Sequence, residues 1–220
     1  MTTNIEAEAT FAFIDLAGFT ALTETHGDMA AVALLDRFEA MVDAALGPSD
    51  RLVKTIGDAV MVAYGSPVDA VCALDAILAG AAREPGFPVP RAGLHHGSAI
   101  MRGDDYIGAA VNLAARVTAQ AHGGQVLATT LVAQHARDSG YGVIELGSFQ
   151  LRNVTDPVEL FALELGPVGD QMTIDPVCRM QVARDEAAGR LRHNDHAYWF
   201  CSLECASQFA ANPSDYVVSG

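Results

Sequence analysis

Two acids stand where an acid is costly. Asp15 lies in Phe13-Ile14-Asp15-Leu16-Ala17-Gly18-Phe19-Thr20, and Asp58 in Lys54-Thr55-Ile56-Gly57-Asp58-Ala59-Val60-Met61. Each sits at the edge of an apolar run with a glycine nearby. A carboxylate there loses hydration unless something positive meets it. Magnesium-class ions take one or two carboxylates together with phosphate oxygens, so the two acids suit a metal–nucleotide complex. Gly18-Phe19-Thr20 opens a helix whose free N–H groups can face a triphosphate. Asn112 and Arg116, four residues apart in a helical segment, share one face. The arginine offers a planar fork of donors for an oxyanion. Near the far end, Cys201 and Cys205 are also four apart at a helix start, where thiolate is favoured. Cys178 can supply a third sulfur, and soft thiolates favour zinc or copper(I). His193, His196 or water are candidates for a fourth ligand.

The elements that must position these groups follow from periodicity and punctuation. Residues 1–9 read as a flexible tail. Phe11 to Asp15 is a short buried strand. Met29 to Leu46 is a helix that stops at Gly47-Pro48. Arg51 to Thr55 and Ala59 to Tyr64 form a hairpin about Gly57-Asp58. A helix follows from Val68 to about Arg83. Val89 to Leu94 and Ser98 to Arg102 read as two strands, and Ala109 to Ala121 as a helix. Gln125 to Ala128, Tyr141 to Leu151 and Leu160 to Leu165 complete the strands. Hairpins interrupt the alternation of strand and helix, which implies an α+β or α/β domain with a mixed sheet. Gly166-Pro167-Val168-Gly169-Asp170-Gln171 marks a linker. Three of the four cysteines and the only tryptophan lie beyond it. The division is a tail (1–9), a main domain (10–165), a linker (166–172) and a small domain (173–220).

The chain has 220 residues, half of them hydrophobic, and a net charge of −14 from 27 acids against 13 Lys and Arg. That charge, with no basic run, excludes nucleic-acid binding by bulk electrostatics. No signal peptide or membrane-length apolar run is visible, so a soluble, cytoplasmic protein is expected. In a reducing compartment, clustered thiols point to metal or redox chemistry before disulfides. His26, His95, His96, His122 and His135 are scattered. Adjacent His95 and His96 point to opposite faces of a strand. Structural or solvent-facing roles are expected for all five, and apolar packing for Cys72.

Four phrases in order carry a resemblance: the two acidic phrases, Gly93-Leu94-His95-His96-Gly97, and Asp105-Tyr106-Ile107-Gly108-Ala109-Ala110-Val111-Asn112-Leu113-Ala114-Ala115-Arg116. Together they resemble the class III nucleotidyl cyclase catalytic domain, in its compact bacterial form, over about residues 11–165. The resemblance implies a ferredoxin-like central sheet with surrounding helices, an α/β sandwich. It implies head-to-tail homodimers with active sites at the subunit interface. Two magnesium or manganese ions would be held by Asp15, Asp58 and the adjoining Ile14. Asn112 would orient the ribose and Arg116 stabilise charge at the α-phosphate. Phe19 and Thr20 would meet the triphosphate, with Arg152 at the terminal phosphates. The ribose 3′-oxygen would attack the α-phosphorus in line and expel pyrophosphate.

The resemblance also places Lys54 and Asp105 at the purine. Lysine only donates and ionised aspartate only accepts. A lysine facing N1 and an aspartate facing the 6-amino group satisfy adenine, while guanine would meet donor with donor and acceptor with acceptor. ATP is the expected substrate. Guanylate cyclase activity, or a metal sensor whose cyclase-like part only dimerises, are the alternatives. Asp175-Pro176-Val177-Cys178, Tyr198-Trp199-Phe200-Cys201-Ser202-Leu203-Glu204-Cys205, Phe209 and Asn212-Pro213-Ser214-Asp215-Tyr216 resemble a YHS domain, a small Cys-rich metal-associated module. Zinc or copper(I) on Cys178, Cys201 and Cys205 is the corresponding expectation.

Overall fold

A computed structural model describes residues 4–84, 86–166, 172–178, 180–185, 187–194 and 196–216. The main sheet has the order β2-β3-β1-β4-β6-β8-β7, with β5 paired to β4. Its strands are β1 (Asn4–Leu16), β2 (Arg51–Ile56), β3 (Ala59–Tyr64), β4 (Pro90–Arg102), β5 (Asp105–Ile107), β6 (Val126–Thr129), β7 (Gly142–Phe149) and β8 (Val158–Glu164). The helices are α1 (Phe19–His26), α2 (Asp28–Ala45), α3 (Pro67–Arg83), α4 (Ala109–Thr118) and α5 (Thr130–Asp138). Pairing is antiparallel except between β4 and β6. The architecture is mixed α+β.

Strand alternation assigns the two faces. Ala12, Ile14 and Leu16 of β1, with Val60, Val62 and Tyr64 of β3, pack against Leu22, Leu34, Phe38, Leu74, Ile77 and Val132 from α1, α2, α3 and α5. Phe11, Met61, Ala63 and Ala99 face the other way, onto Ala110, Val111 and Ala114 of α4. Asp15 shares the parity of Phe11, so it leaves the sheet on the α4 side.

Four expectations change. Only residues 1–3 of the supposed tail fall outside the described part. From Asn4 the chain is strand, pairing Asn4 with Arg102 through Ala9 with Gly97. The Glu6 and Glu8 that suggest a solvated tail are the exposed positions of an edge extension, and Glu8 meets His96 at 3.3 Å. Residues 90–102 form one continuous strand because the lengthened β1 pairs with all of it. Helix α5 has no counterpart among the expected elements; its buried set is only Val132, Ala133 and Ala136. Cys72 is exposed rather than packed. It lies on the outward side of α3 and accepts a 3.8 Å contact from the Tyr141 hydroxyl. His95 and His96 do face opposite ways, bonded at 2.9 Å to Thr129 and Thr10 respectively.

Of the supposed linker, residues 167–171 lie outside the described residues. Beyond it come two hairpins, β9 (Met172–Ile174) with β10 (Gln181–Ala183) and β11 (Gly189–His193) with β12 (His196–Phe200), then α6 (Leu203–Ala211) and a 3-10 turn at Pro213–Asp215. Val177, Cys178, Phe200, Cys205 and Phe209 form its own small core. No helix among the described residues is long and apolar enough to cross a membrane.

Helix α4 lies so close to β4 that a Cβ on Gly93 would come within 2.1 Å of the Thr118 backbone nitrogen. The Thr118 hydroxyl locks this approach by donating to Phe13 O at 3.2 Å and Ala114 O at 3.0 Å. Gly93→Ala must therefore push α4 off the sheet. It should destabilise the protein by about 1–3 kcal/mol, read as a lower urea midpoint at unchanged slope.

Candidate functional site

The register of β1 against β3 sets Asp15 opposite Ala59, the residue after Asp58. Leu16 N donates to Asp58 O at 3.4 Å, closing the strand end onto the hairpin turn. Gly57 turns that hairpin at φ 64°, a left-handed conformation suited to glycine. The two acids are consequently neighbours at this end of the sheet. Burial first, and then the Asp15 charge, push the Asp58 carboxyl above the ordinary aspartate range.

Arg91, on β4, was not among the expected site residues. Its Nε donates to Asp15 Oδ2 at 2.6 Å and its Nη1 to Ala121 O at 3.2 Å. It lines two cavities. One, of about 250 Å³, is bordered by Phe13, Asp15, Ala59, Ala115 and Thr118. The other, of about 370 Å³, is bordered by Ala17, Gly18, Val89, His122 and Ile174. Arg91 thus stands between the acids and the start of α1. Gly18 caps that helix with φ 80°, and no side chain caps its first turn, so the N–H groups at Phe19 and Thr20 stay available. A sequence signal for Arg91 existed: a charge inside the otherwise apolar run Val89 to Leu94 has to be paired. Ile14 is fully buried with an apolar side chain, so only its carbonyl oxygen could serve an ion.

Asn112, Arg116 and Arg152 converge on a third cavity of about 450 Å³, together with Asn153 and Val154. None of the three side chains has a hydrogen-bond or ion-pair partner among the described residues. Asn153 adopts φ 60°. Asparagine tolerates that conformation, so the turn presenting Arg152 is kept. This cavity shares no lining residue with the acid cavity; the two open on different sides of α4.

Lys54 and Asp105 face each other across β2 and β5. Lys54 Nζ donates to both carboxylate oxygens at 2.7 Å. That bond holds the Asp105 carboxyl below the usual aspartate range against the opposing effect of burial, with lesser help from the Tyr106 N–H. A donor-only and an acceptor-only group therefore stand side by side.

In the C-terminal unit Cys178, Cys201 and Cys205 come together without a disulfide. Their sulfurs are 3.4 Å (178 to 201) and 3.7 Å (201 to 205) apart. Hydrogen bonds from Cys178 and Cys201 bring the Cys205 thiol below its normal range. His193 and His196, considered as a fourth ligand, point elsewhere: His193 stacks edge-on against Phe209 and His196 bonds Asn194 O. The imidazole that reaches the sulfurs is His26, whose Nε2 lies 3.8 Å from Cys201 Sγ.

Comparison with known proteins fits this arrangement. An uncharacterized protein of Mycobacterium tuberculosis, Rv2212, is 38% identical over 157 residues, covering 70% of this chain and 41% of that protein. A pH-sensitive adenylate cyclase of the same species is 32% identical over 163 residues, covering 72% and 41%. The chain thus spans about two fifths of the length of these relatives. Among solved structures, an adenylate cyclase from Trypanosoma brucei in its monomeric state superimposes with a TM-score of 0.64 at 25% identity, covering 73% of this chain and 89% of that one. Residues 2–165 match the adenylate and guanylate cyclase catalytic domain. With the acid pair, the glycine-capped α1 and the sheet order all lying inside those residues, the chain belongs to the adenylate and guanylate cyclase catalytic-domain family.

Proposed function

We propose that the chain is an adenylate cyclase converting ATP to 3′,5′-cyclic AMP and pyrophosphate in sites shared by two copies of itself. The observation that carries this reading is the Asp15–Asp58 pair. Two partly buried carboxyls stand at neighbouring strand ends, one is pushed toward its protonated form by burial and by the other's charge, and Arg91 pairs with Asp15. The pair is short of positive charge, and its all-oxygen donor set fits magnesium or manganese. Asp15, Asp58 and the Ile14 carbonyl would hold these ions. When bound, the ions supply positive charge to the triphosphate and acidify the ribose 3′-hydroxyl.

The chain's own groups do the rest. The N–H groups of Phe19 and Thr20 at the α1 start and the Arg91 guanidinium face one elongated anion, as a triphosphate requires. Asn112 orients the ribose. Arg116 donates to the α-phosphate oxygens as charge gathers there, and Arg152 meets the terminal phosphates. A bond forms from the 3′-oxygen to the α-phosphorus, the bond to the bridging oxygen breaks, and pyrophosphate leaves. Because the acids and the Asn112–Arg116–Arg152 trio open on different sides of α4, each complete site draws the acids from one copy and the trio from the other. The Lys54–Asp105 pair offers N1 a donor and the 6-amino group an acceptor, which favours ATP over GTP, in keeping with a relative named as an adenylate cyclase. We read the C-terminal unit as a YHS-type metal module. Its free thiols suit the reducing, ATP-supplied cytoplasm.

Three outcomes test this reading. Asp15→Ala and Arg116→Ala should each lose at least about 10²-fold in turnover. Mixed after co-refolding, they should regain roughly a quarter of wild-type activity. Half the dimers are then hybrids, each with one intact site. No recovery would remove the shared-site picture. Lys54→Glu should collapse the ATP-to-GTP ratio of kcat/KM, and an unchanged ratio refutes the base-reading pair. Finally, a carboxyl whose folded pKa is raised destabilises the metal-free fold above that pKa, and stability falls as pH rises through it. Asp58→Asn should therefore raise the melting temperature of metal-free protein at neutral pH while abolishing cyclic AMP production.

A further inference from the structure

The cysteine cluster is completed from the other unit. His26 Nε2 and the sulfurs of Cys178, Cys201 and Cys205 all lie within 4.8 Å of one another. A tetrahedral zinc with ligands at about 2.0–2.3 Å places those ligands roughly 3.3–3.8 Å apart. The three pairs that involve Cys201 are 3.4, 3.7 and 3.8 Å apart. Three sulfurs and an imidazole form a closed set, the composition of a structural rather than a catalytic zinc site.

The site is built before any ion enters. The fully buried Asp175 accepts from Val177 N and Cys201 N at 2.8 Å and from Cys178 N at 3.4 Å. It thereby fixes two of the three cysteine backbones. Ser202 Oγ caps α6 by accepting from Cys205 N at 3.1 Å, fixing the third. Independent contacts bring His26 to this cluster. Pro88 forms an isolated antiparallel bridge with Met180, and Met180 packs on the main core. Ile174 shares a cavity wall with Ala17 and Gly18.

We propose that His26, Cys178, Cys201 and Cys205 bind one zinc-class ion that clips the C-terminal unit to the far end of α1. Imidazole among thiolates favours zinc over copper(I). Helix α1 spans only eight residues, from the Gly18 turn to His26, about 12 Å. An ion at its last residue therefore holds the same rigid element whose Gly18 cap lines the cavity of about 370 Å³ beside Arg91. The link to turnover rests on the cyclase reading; the ion site does not.

The test uses the full chain, stripped and reloaded with zinc or cobalt(II) against a chromophoric chelator. Wild type should take up one ion per chain with a four-coordinate, thiolate-rich cobalt spectrum. His26→Ala, checked for native circular dichroism, should weaken zinc at least about tenfold and alter the cobalt spectrum. His26→Cys, which restores a fourth ligand, should recover the affinity. Hydrogen exchange at α1 should slow on zinc addition in wild type and not in His26→Ala. Equal affinity and an identical spectrum in His26→Ala would overturn the clip, as would a wild-type chain that takes up no zinc, or binds copper(I) independently of His26. Absence of cyclic AMP synthesis with the zinc results intact would sink the cyclase reading alone.

Discussion

Two neighbouring, partly buried carboxyl groups set the terms for this domain. Asp15 lies one residue before the end of the central strand, Asp58 sits in the turn of the neighbouring hairpin, and the β1–β3 register keeps their backbones adjacent. Repulsion and burial are both unfavourable, and Arg91 offsets only part of the cost. The rest of the architecture works to keep that arrangement in place. Fully buried Phe11, Ile14 and Leu16 anchor the strand from both faces. Thr118 ties α4 to the carbonyl of Phe13, two residues before Asp15. The energetic deficit is concentrated where a cationic ligand restores it, which is the usual relation between a strained site and a rigid scaffold.

The same scaffold keeps two cavities apart within one copy. Helix α4 separates the acid cavity from the one that gathers Asn112, Arg116 and Arg152. A polar trio without internal partners is a surface waiting for an anion, while the acids wait for a cation. Neither cavity satisfies the other within one chain. Lys54 and Asp105, by contrast, already satisfy each other; in the reading proposed above, a purine has to insert between these paired groups.

Much of this was legible in the residues, for identifiable reasons. Helices α2 and α3 announce themselves through apolar spacing and, for α3, through Ser66 and Pro67 at its start. The acid phrases and the Asn112–Arg116 spacing are local, and local patterns survive folding. The N-terminal half of β1 was hidden because Glu6 and Glu8 alternate with small residues, which reads as solvated chain until β4 supplies a partner. Arg91 was overlooked as one charge in a strand. His26 could not be found at all from spacing, since its sulfur neighbours lie more than 150 residues away and only the packing of two units brings them together.

The buried carboxylate of Asp175 has a consequence of its own. By gathering three amides from two separate segments, it makes the thiol nest a finished receptacle rather than a loop that must condense around its guest. Capture then requires little ordering of the chain, and release little disorder. Such a receptacle can follow a changing supply of ions quickly, as a gauge does, where one that folds only when filled acts as a latch.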